Sequence, residues 1–465
     1  MSTVFDPLRM GAVSLDMLVC GRASQPDLAG RQHARLRALL AAAVRGSGIY
    51  RERLKGKVPE MLRLRDLPLV SKRELMGNFS SWVTDPDVKL PDLRAFMADP
   101  RRIGEAYLNK YLVWESSGTS HEPCVFVQDA RALAVYDALE ALRRSSPRPL
   151  QRWLDPMLLA ERIAFVGATT GHFASMVSTQ RLRELSPFMA KSVQCFSILQ
   201  STRSLVEELN AFAPTVIATY PTVAAMLADQ SESGALRFVP KEVWTGGETL
   251  SAAVRKRLET VWGCAVRNSY GASEFFSIGW ECSHGQMHAN ADWVILEPVD
   301  ERGHPVPAGQ LSHTTLLTNL ANHVQPIIRF DVGDQIRLRT EGCDCGSTLP
   351  VIDVQGRRDD ALVMTGRNGK NVTLLPMALT TVLEEEAGVF DFQLRQRDKH
   401  TLVLRLDLSA DQGELALVRC RAALERFART QELAPMQVIG ELGKPISRGR
   451  SGKANRVVAQ GAAGC

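Results

Sequence analysis

Between residues 161 and 271 short apolar runs alternate with amphipathic helical segments, and no other feature constrains the fold as tightly. ERIAFVGAT (161–169) predicts a buried strand entering a Gly/Thr turn, and STRSLVEELNAF (201–212) a helix capped by Ser201 or Thr202. TVIAT (215–219) predicts the next strand, and TVAAMLADQ, after Tyr220–Pro221, the next helix. KEVWTGG (241–247) reads as a strand ending on paired glycines, LSAAVRKRLETVW (250–262) as a helix and AVRNSYG (265–271) as a strand. Strands that alternate with helices imply an α/β domain with mainly parallel pairing. Such sheets bind ligands beyond the carboxyl ends of their strands.

Outside this block the texture differs. Residues 28–46 have helical spacing and strong helix formers. After about residue 355, VTLLP (372–376) leads into a helix, MALTTVLEEEAG, and two alternating strands, FDFQLRQRD and HTLVLRLDL, read as a hairpin. The helix GELALVRCRAALERFART and the strand MQVIGEL follow. The expected architecture is α/β: a large N-terminal domain of several subdomains with mainly parallel sheets (1–355), a polar glycine-bearing link (356–360) and a small α+β C-terminal domain (361–465).

Composition excludes several classes of function. Hydrophobic residues make up 45% and charged residues 23%, which suits a globular protein. The net charge of +5 is small and its basic residues are dispersed, so a nucleic-acid partner is not expected. No apolar stretch reaches the ~18 residues that span a bilayer, so no membrane partner is expected either. The N-terminus has no basic region before its apolar part and does not read as a secretory signal. Nine irregularly spaced cysteines, an odd number, point to a reducing compartment, and the expected location is cytoplasmic.

The chemistry begins at WESSGTSHEPCVFVQD (114–129). Ser116, Ser117, Gly118, Thr119 and Ser120 make a turn whose glycine admits close backbone approach and whose hydroxyls and N–H groups suit phosphate oxygens. It lacks the lysine and second glycine of the G-x-x-x-x-G-K-[ST] loop. Elsewhere, ECSHGQMH and GCDCG bring Cys282, His284, His288, Cys343 and Cys345 into consideration as zinc ligands, since thiolate and imidazole suit that ion.

In order along the chain, SSGTS (116–120), TGGETL (245–250), YGASE (270–274), RFDVGDQIRL (329–338), and GRRDD (356–360) with SRGRSGK (447–453) resemble the motifs of the adenylate-forming enzymes. The resemblance is nearest to the phenylacetate–CoA ligase branch, on the chain length, the R-F-x-x-G-D aspartate motif and the Glu281–Cys282 pair that closely follows YGASE. It implies an acid–CoA ligase that uses ATP, Mg²⁺ and CoA to turn a small carboxylic acid into an acyl-AMP, then a thioester. Ser117, Gly118, Thr119 and Ser120 would hold the β- and γ-phosphates. Gly246, Gly247, Glu248 and Tyr270 would line the nucleotide pocket, and Glu274 would bind magnesium. Asp334 would accept from both ribose hydroxyls with Arg357 assisting, and Lys453 would be the catalytic cation between carboxylate and phosphate. Asp359 would be the hinge on which the small domain turns.

The same resemblance selects Cys282, His288, Cys343 and Cys345 as ligands of a structural Zn²⁺, with His284 to spare. It also implies a homodimer in some relatives. Tyr136, His172, Phe173, Tyr220 and Pro221 come from segments expected to border the acid pocket, where an aromatic pair with small residues suits an aryl or arylalkanoic acid. The chain departs from the family where His121 replaces the second loop glycine. That departure keeps open a nucleotide-binding regulator with weakened catalysis. An amine or hydroxyl acceptor in place of CoA is the other alternative.

Overall fold

The computed structural model describes residues 4–20, 24–56, 62–116, 123–143, 155, 160–355, 361–389, 392–406, 408, 410–444, 446 and 455–459. Its centre is a seven-stranded sheet in the order Val193–Ser197, Ile163–Gly167, Val216–Thr219, Glu242–Thr245, Ala265–Ala272, Phe275–Glu281, Met287–Ala289. The first five strands are parallel and the last two join antiparallel. All five residues of Ile163–Gly167 are buried, as expected of a strand that carries packing on both faces. Helices start where the sequence supplies a cap: the Ser201 hydroxyl accepts from Ser204 N–H at 3.2 Å, and that of Ser251 from Val254 N–H at 3.2 Å.

Two smaller antiparallel units extend this body. Val294–Val299, Thr314–Asn319 and Phe330–Asp331 form one sheet, and Gln335–Leu338 pairs with Ile352–Gln355. The N-terminal segment is helical and supplies part of a large core that runs from Val4 to Phe330. Its helix Gln25–Gly46 begins at a capping box between Ser24 and Asp27, three residues before the expected start at residue 28. Among the described residues, no helix is long and apolar enough to cross a membrane.

Residues 361–459 make a hairpin (Leu362–Thr365 with Asn371–Leu374) and a four-stranded sheet in the order Gln437–Leu442, Thr401–Leu406, Phe392–Gln396, Val457–Val458. The helix Ala410–Thr430 packs on Gln437–Leu442. The segment expected to be one plain helix is helical over Pro376–Thr381 and then winds as a wider π turn over Val382–Glu386. One apolar cluster continues from residues 164–266 into 362–457, so the C-terminal unit rests on the parallel sheet and its helices.

Candidate active site

A hairpin flanks the segment 117–122. Leu112–Glu115 pairs antiparallel with Val125–Gln128, with Glu115 opposite Val125. At its mouth Ser116 N–H donates to the Cys124 carbonyl at 2.9 Å, and Cys124 N–H donates to the Ser116 hydroxyl at 3.0 Å. Ser116 and Cys124 are therefore tied to each other. Ser117, Gly118, Thr119, Ser120 and His121 lie outside the described residues.

The hairpin opens on a cavity of about 1820 Å³ beside the ends of the parallel strands. Pockets for one small ligand hold roughly 300–1000 Å³, so this cleft has room for a nucleotide together with a second substrate. Gly246, Gly247 and Glu248 line it directly after the strand Glu242–Thr245. Gly247 has φ 76°, and a Cβ there would come within 3.1 Å of the Tyr220 ring. Only glycine combines that backbone with that approach. Glu248 accepts from Thr222 N–H at 3.1 Å and from its hydroxyl at 3.0 Å, which holds the loop onto the start of the helix Pro221–Glu232.

The strand Ala265–Ala272 carries Tyr270 to the same wall, and a tight irregular turn into Phe275–Glu281 places Glu274 at its tip. A Cβ on Gly271 would lie 2.1 Å from the Phe276 carbonyl oxygen, so the turn closes only around glycine. Asn319 Nδ2 donates to the Glu274 carbonyl at 2.8 Å and fixes the backbone behind its carboxylate. Beside this strand, Asp331 accepts from Gly333 N–H at 2.8 Å and from the Thr314 hydroxyl, and this turn delivers Asp334 to the wall. Tyr270 Oη donates to Asp334 Oδ2 at 2.8 Å. Burial and the neighbouring Asp334 hold the phenol well above its ordinary value, so it remains a donor. Arg329 of the same motif is a buried tie: it donates to Glu297 at 3.0 Å and to the Leu67 carbonyl at 2.6 Å.

Of the residues expected around the acid, Phe173, Tyr220 and Tyr136 line the cavity. Tyr136 does so with one edge; it is 3% exposed, accepts from Asn319 Nδ2 at 3.1 Å and packs on Phe275 at 5.2 Å. Burial pushes the Tyr220 phenol up to about 12. The other two, His172 and Pro221, are not among the lining residues. His172 is absent from the cavity wall: its ring packs on Phe96 at 5.9 Å, and burial pushes the imidazole down. Neighbours in extended backbone point to opposite sides, so Phe173 and His172 do not share the cavity. Pro221 is buried as the first residue of its helix, behind Tyr220 and Thr222, which do line the wall.

Two lining residues went unread in the sequence. Lys72 opens a short helix capped by Ser71 and reaches the wall from the N-terminal region, where no motif marks it. Glu115 stands at the end of its strand, where it read only as the residue before the turn. Lys453, Arg357 and Asp359 lie outside the described residues. The chain beyond Lys453 is anchored: Gln393 Nε2 donates to the Asn455 carbonyl at 3.0 Å, and Val457 pairs with Leu394.

Away from this cavity wall, Cys282, His288, Cys343 and Cys345 bring their ligand atoms within 4.8 Å of one another. Cys282 Sγ and Cys343 Sγ are 3.7 Å apart, and Cys345 Sγ is 3.4 Å from His288 Nε2. Thiolates on a tetrahedral zinc, with Zn–S of about 2.3 Å, sit roughly 3.7 Å apart. His288 Nδ1 lies 2.9 Å from the Leu349 carbonyl and donates to it when Nε2 faces a metal. The donor set therefore fits zinc; His284 is not part of it.

The parallel strands end on one large cleft whose wall carries the carboxylates of Glu274 and Asp334. Residues 178–311 match the sequence model of the AMP-binding enzymes. Among solved structures it is similar to 2-hydroxyisobutyryl-CoA ligase in complex with 2-HIB-AMP and CoA in the thioesterification state, at 20% identity and TM-score 0.59, covering 95% of this chain and 91% of that one. The same enzyme in the postadenylation state with R3-HIB-AMP gives TM-score 0.55 at 20% identity, covering 95% and 92%. Protein CapK of Staphylococcus aureus is 24% identical over 231 residues, which is 47% of this chain. The matched region spans about half the length of that relative, 48%.

Proposed function

We propose that the protein is an AMP-forming acid–CoA ligase of the phenylacetate–CoA ligase type, acting on an aryl or arylalkanoic acid. The observation that carries this reading is that Glu274, Asp334, Phe173 and Tyr220 line one cavity, with Tyr270 holding Asp334. A carboxylate is a poor acyl donor because oxide leaves badly. Attack of its oxygen on the α-phosphorus of ATP forms acyl-AMP and releases pyrophosphate; the CoA thiol then displaces AMP.

Two anions meet in the first step, so the protein must align them and offset their charge. In this reading the turn 117–120 cradles the β- and γ-phosphates and Asp334 accepts from the ribose hydroxyls, with Arg357 beside it. Lys453 supplies the cation between the reacting oxygens. Glu274 would hold Mg²⁺, which neutralises phosphate charge when bound. Residues 1–355 act as the large domain and 361–465 as a small one turning about Asp359, and Cys282, His288, Cys343 and Cys345 hold a structural zinc. The aromatic wall favours a flat acid through stacking and apolar burial.

The deciding experiment is acid-dependent pyrophosphate release with ATP, Mg²⁺ and CoA across aryl, arylacetic and aliphatic acids, with products followed by mass. An acyl-CoA product from an aryl acid is expected. Acyl-AMP without thioester would move the acceptor to another nucleophile, and no release from any acid would overturn the reading.

A further inference from the structure

Successive residues of the central strands serve opposite faces of the sheet. Ala164, Val166, Ile217 and Val243 join the apolar cluster built with the helices Thr202–Phe212, Pro221–Glu232 and Ala252–Trp262. Their neighbours Ile163, Phe165, Ala218 and Trp244 line the cavity instead. Phe165, Ala218 and Trp244 are register partners and make one rung across the sheet. Ile163 beside Val193 makes the next rung back, away from Gly246, and both line the same cavity. The strand Ile163–Gly167 covers about 13 Å at the usual rise of a strand. The cavity therefore follows the sheet from the strand ends, marked by Tyr220 and Gly246, back toward the strand starts.

The helix Ala174–Leu185 covers this floor. It leaves the end of Ile163–Gly167 and leads toward the parallel neighbour Val193–Ser197, so it runs back along the sheet. Ala174, Ser178, Leu182 and Leu185 line the cavity at helical spacing, one stripe of roughly 16 Å. The chemistry changes along that stripe. Ala174, Ser175, Ser178 and Thr179, toward the strand ends, are small or carry hydroxyls; Leu182, Leu185 and then Met189 are larger and apolar. At the far end Leu182 packs with Ile163, Met189, Val193 and Trp244 in one cluster. Polar groups beside it have partners: Trp244 Nε1 donates to Glu242 at 3.0 Å, and Arg181 donates to Asp137 at 2.8 Å and to the Val4 carbonyl at 3.0 Å.

We propose that this branch is the tail channel of the acid site and that the acid is an elongated apolar one. It is an arylalkanoic acid whose carboxyl stands at Tyr220 and Gly246 and whose chain and ring run along Phe165, Ala218 and Trp244 to Leu182 and Leu185. An acid the size of phenylacetate would leave the far rungs uncovered. Every methylene that extends into the branch leaves water for an apolar wall. The inference rests on the acid-ligase reading for the place of the carboxyl alone.

The test is a series of phenylacetic, phenylbutyric, phenylhexanoic and phenyloctanoic acids. Binding to the full chain is measured by calorimetry without nucleotide, and pyrophosphate release with ATP and Mg²⁺ is read separately. Affinity should rise about fourfold for each added methylene, the effect of one buried CH₂, and by at least about 100-fold across the series. Leu182→Trp and Leu185→Trp fill the branch partway and should weaken phenyloctanoic acid by about 10-fold or more, the loss of two buried methylenes. Circular dichroism checks that both fold; if Leu182→Trp does not, Leu185→Trp carries the test. Equal affinity along the series, or phenyloctanoic acid bound as tightly by the variants as by the wild type, overturns the channel. Pyrophosphate release from phenylacetic acid with no gain in affinity along the series would sink the channel and leave the ligase reading standing. Length-dependent binding that the variants abolish, with no release from any acid, would sink the ligase reading and leave the channel standing.

Discussion

Tyr270 and Asp334 are 64 positions apart, yet one hydrogen bond of 2.8 Å joins them on the cavity wall. Tyr270→Phe removes the donor that orients the carboxylate. It should weaken AMP binding by about 3- to 10-fold, the range of one net hydrogen bond, as read by calorimetry. Unchanged affinity would mean that the backbone turn alone positions Asp334. His323 gives a second test at this scale. Burial, helped by Arg131, pushes its imidazole down to about 4, whereas an unfolded chain takes up a proton near about 6.5. The stability tied to this group is complete above about 6.5 and is lost as pH falls from there toward 4. His323→Gln should flatten the acid limb of stability against pH by up to about 3 kcal/mol, and identical acid limbs in thermal melts would exclude this origin.

At the level of elements, the π turn and the metal loop show what local pattern reading misses. The run MALTTVLEEEAG has helical composition throughout, and nothing in it announces that Val382–Glu386 winds wider. The turn buries Glu384 against Arg456, a residue that reaches it only through the final strand. The metal ligands join Phe275–Glu281 and Met287–Ala289 to the loop between Gln335–Leu338 and Ile352–Gln355. Protein purified without chelator should contain about one equivalent of zinc by elemental analysis, the amount one four-ligand site takes up. Cys345→Ser should lose most of it and lower the melting temperature; metal-free wild type with an unchanged melt under chelator would remove the zinc reading.

Across the whole molecule, the C-terminal unit is joined to the parallel-sheet body by apolar packing and by a small set of polar ties. Gln431, 6% exposed, donates to the Leu199 carbonyl at 3.1 Å and to the Gln200 carbonyl at 2.8 Å. Arg203 and Glu432 pair in solvent at 2.7 Å. Gln431→Ala strips two carbonyls of their donor and should cost about 1–3 kcal/mol in denaturant unfolding. Arg203→Ala should cost less than about 0.5 kcal/mol, because solvent screens the pair. The reverse order would place the joint's strength in surface charge.

The strand–helix alternation over 161–271 was legible because each buried strand needs continuous apolar residues and each surface helix a stripe, and both are local patterns. Glu274, Asp334 and Tyr270 were singled out through the family resemblance of YGASE and RFDVGDQIRL, and the turn before Glu274 closes only around Gly271 against the Phe276 carbonyl. The four-ligand cluster was reached only through the family resemblance, since residue types and spacing left five candidates. Tertiary structure alone decided the rest. Which side of an extended segment faces the cavity separated Phe173 from His172, and long-range packing brought Lys72 to the wall and set Glu385 beside Gly171. None of these has a local signal, because each depends on where a distant part of the chain comes to rest.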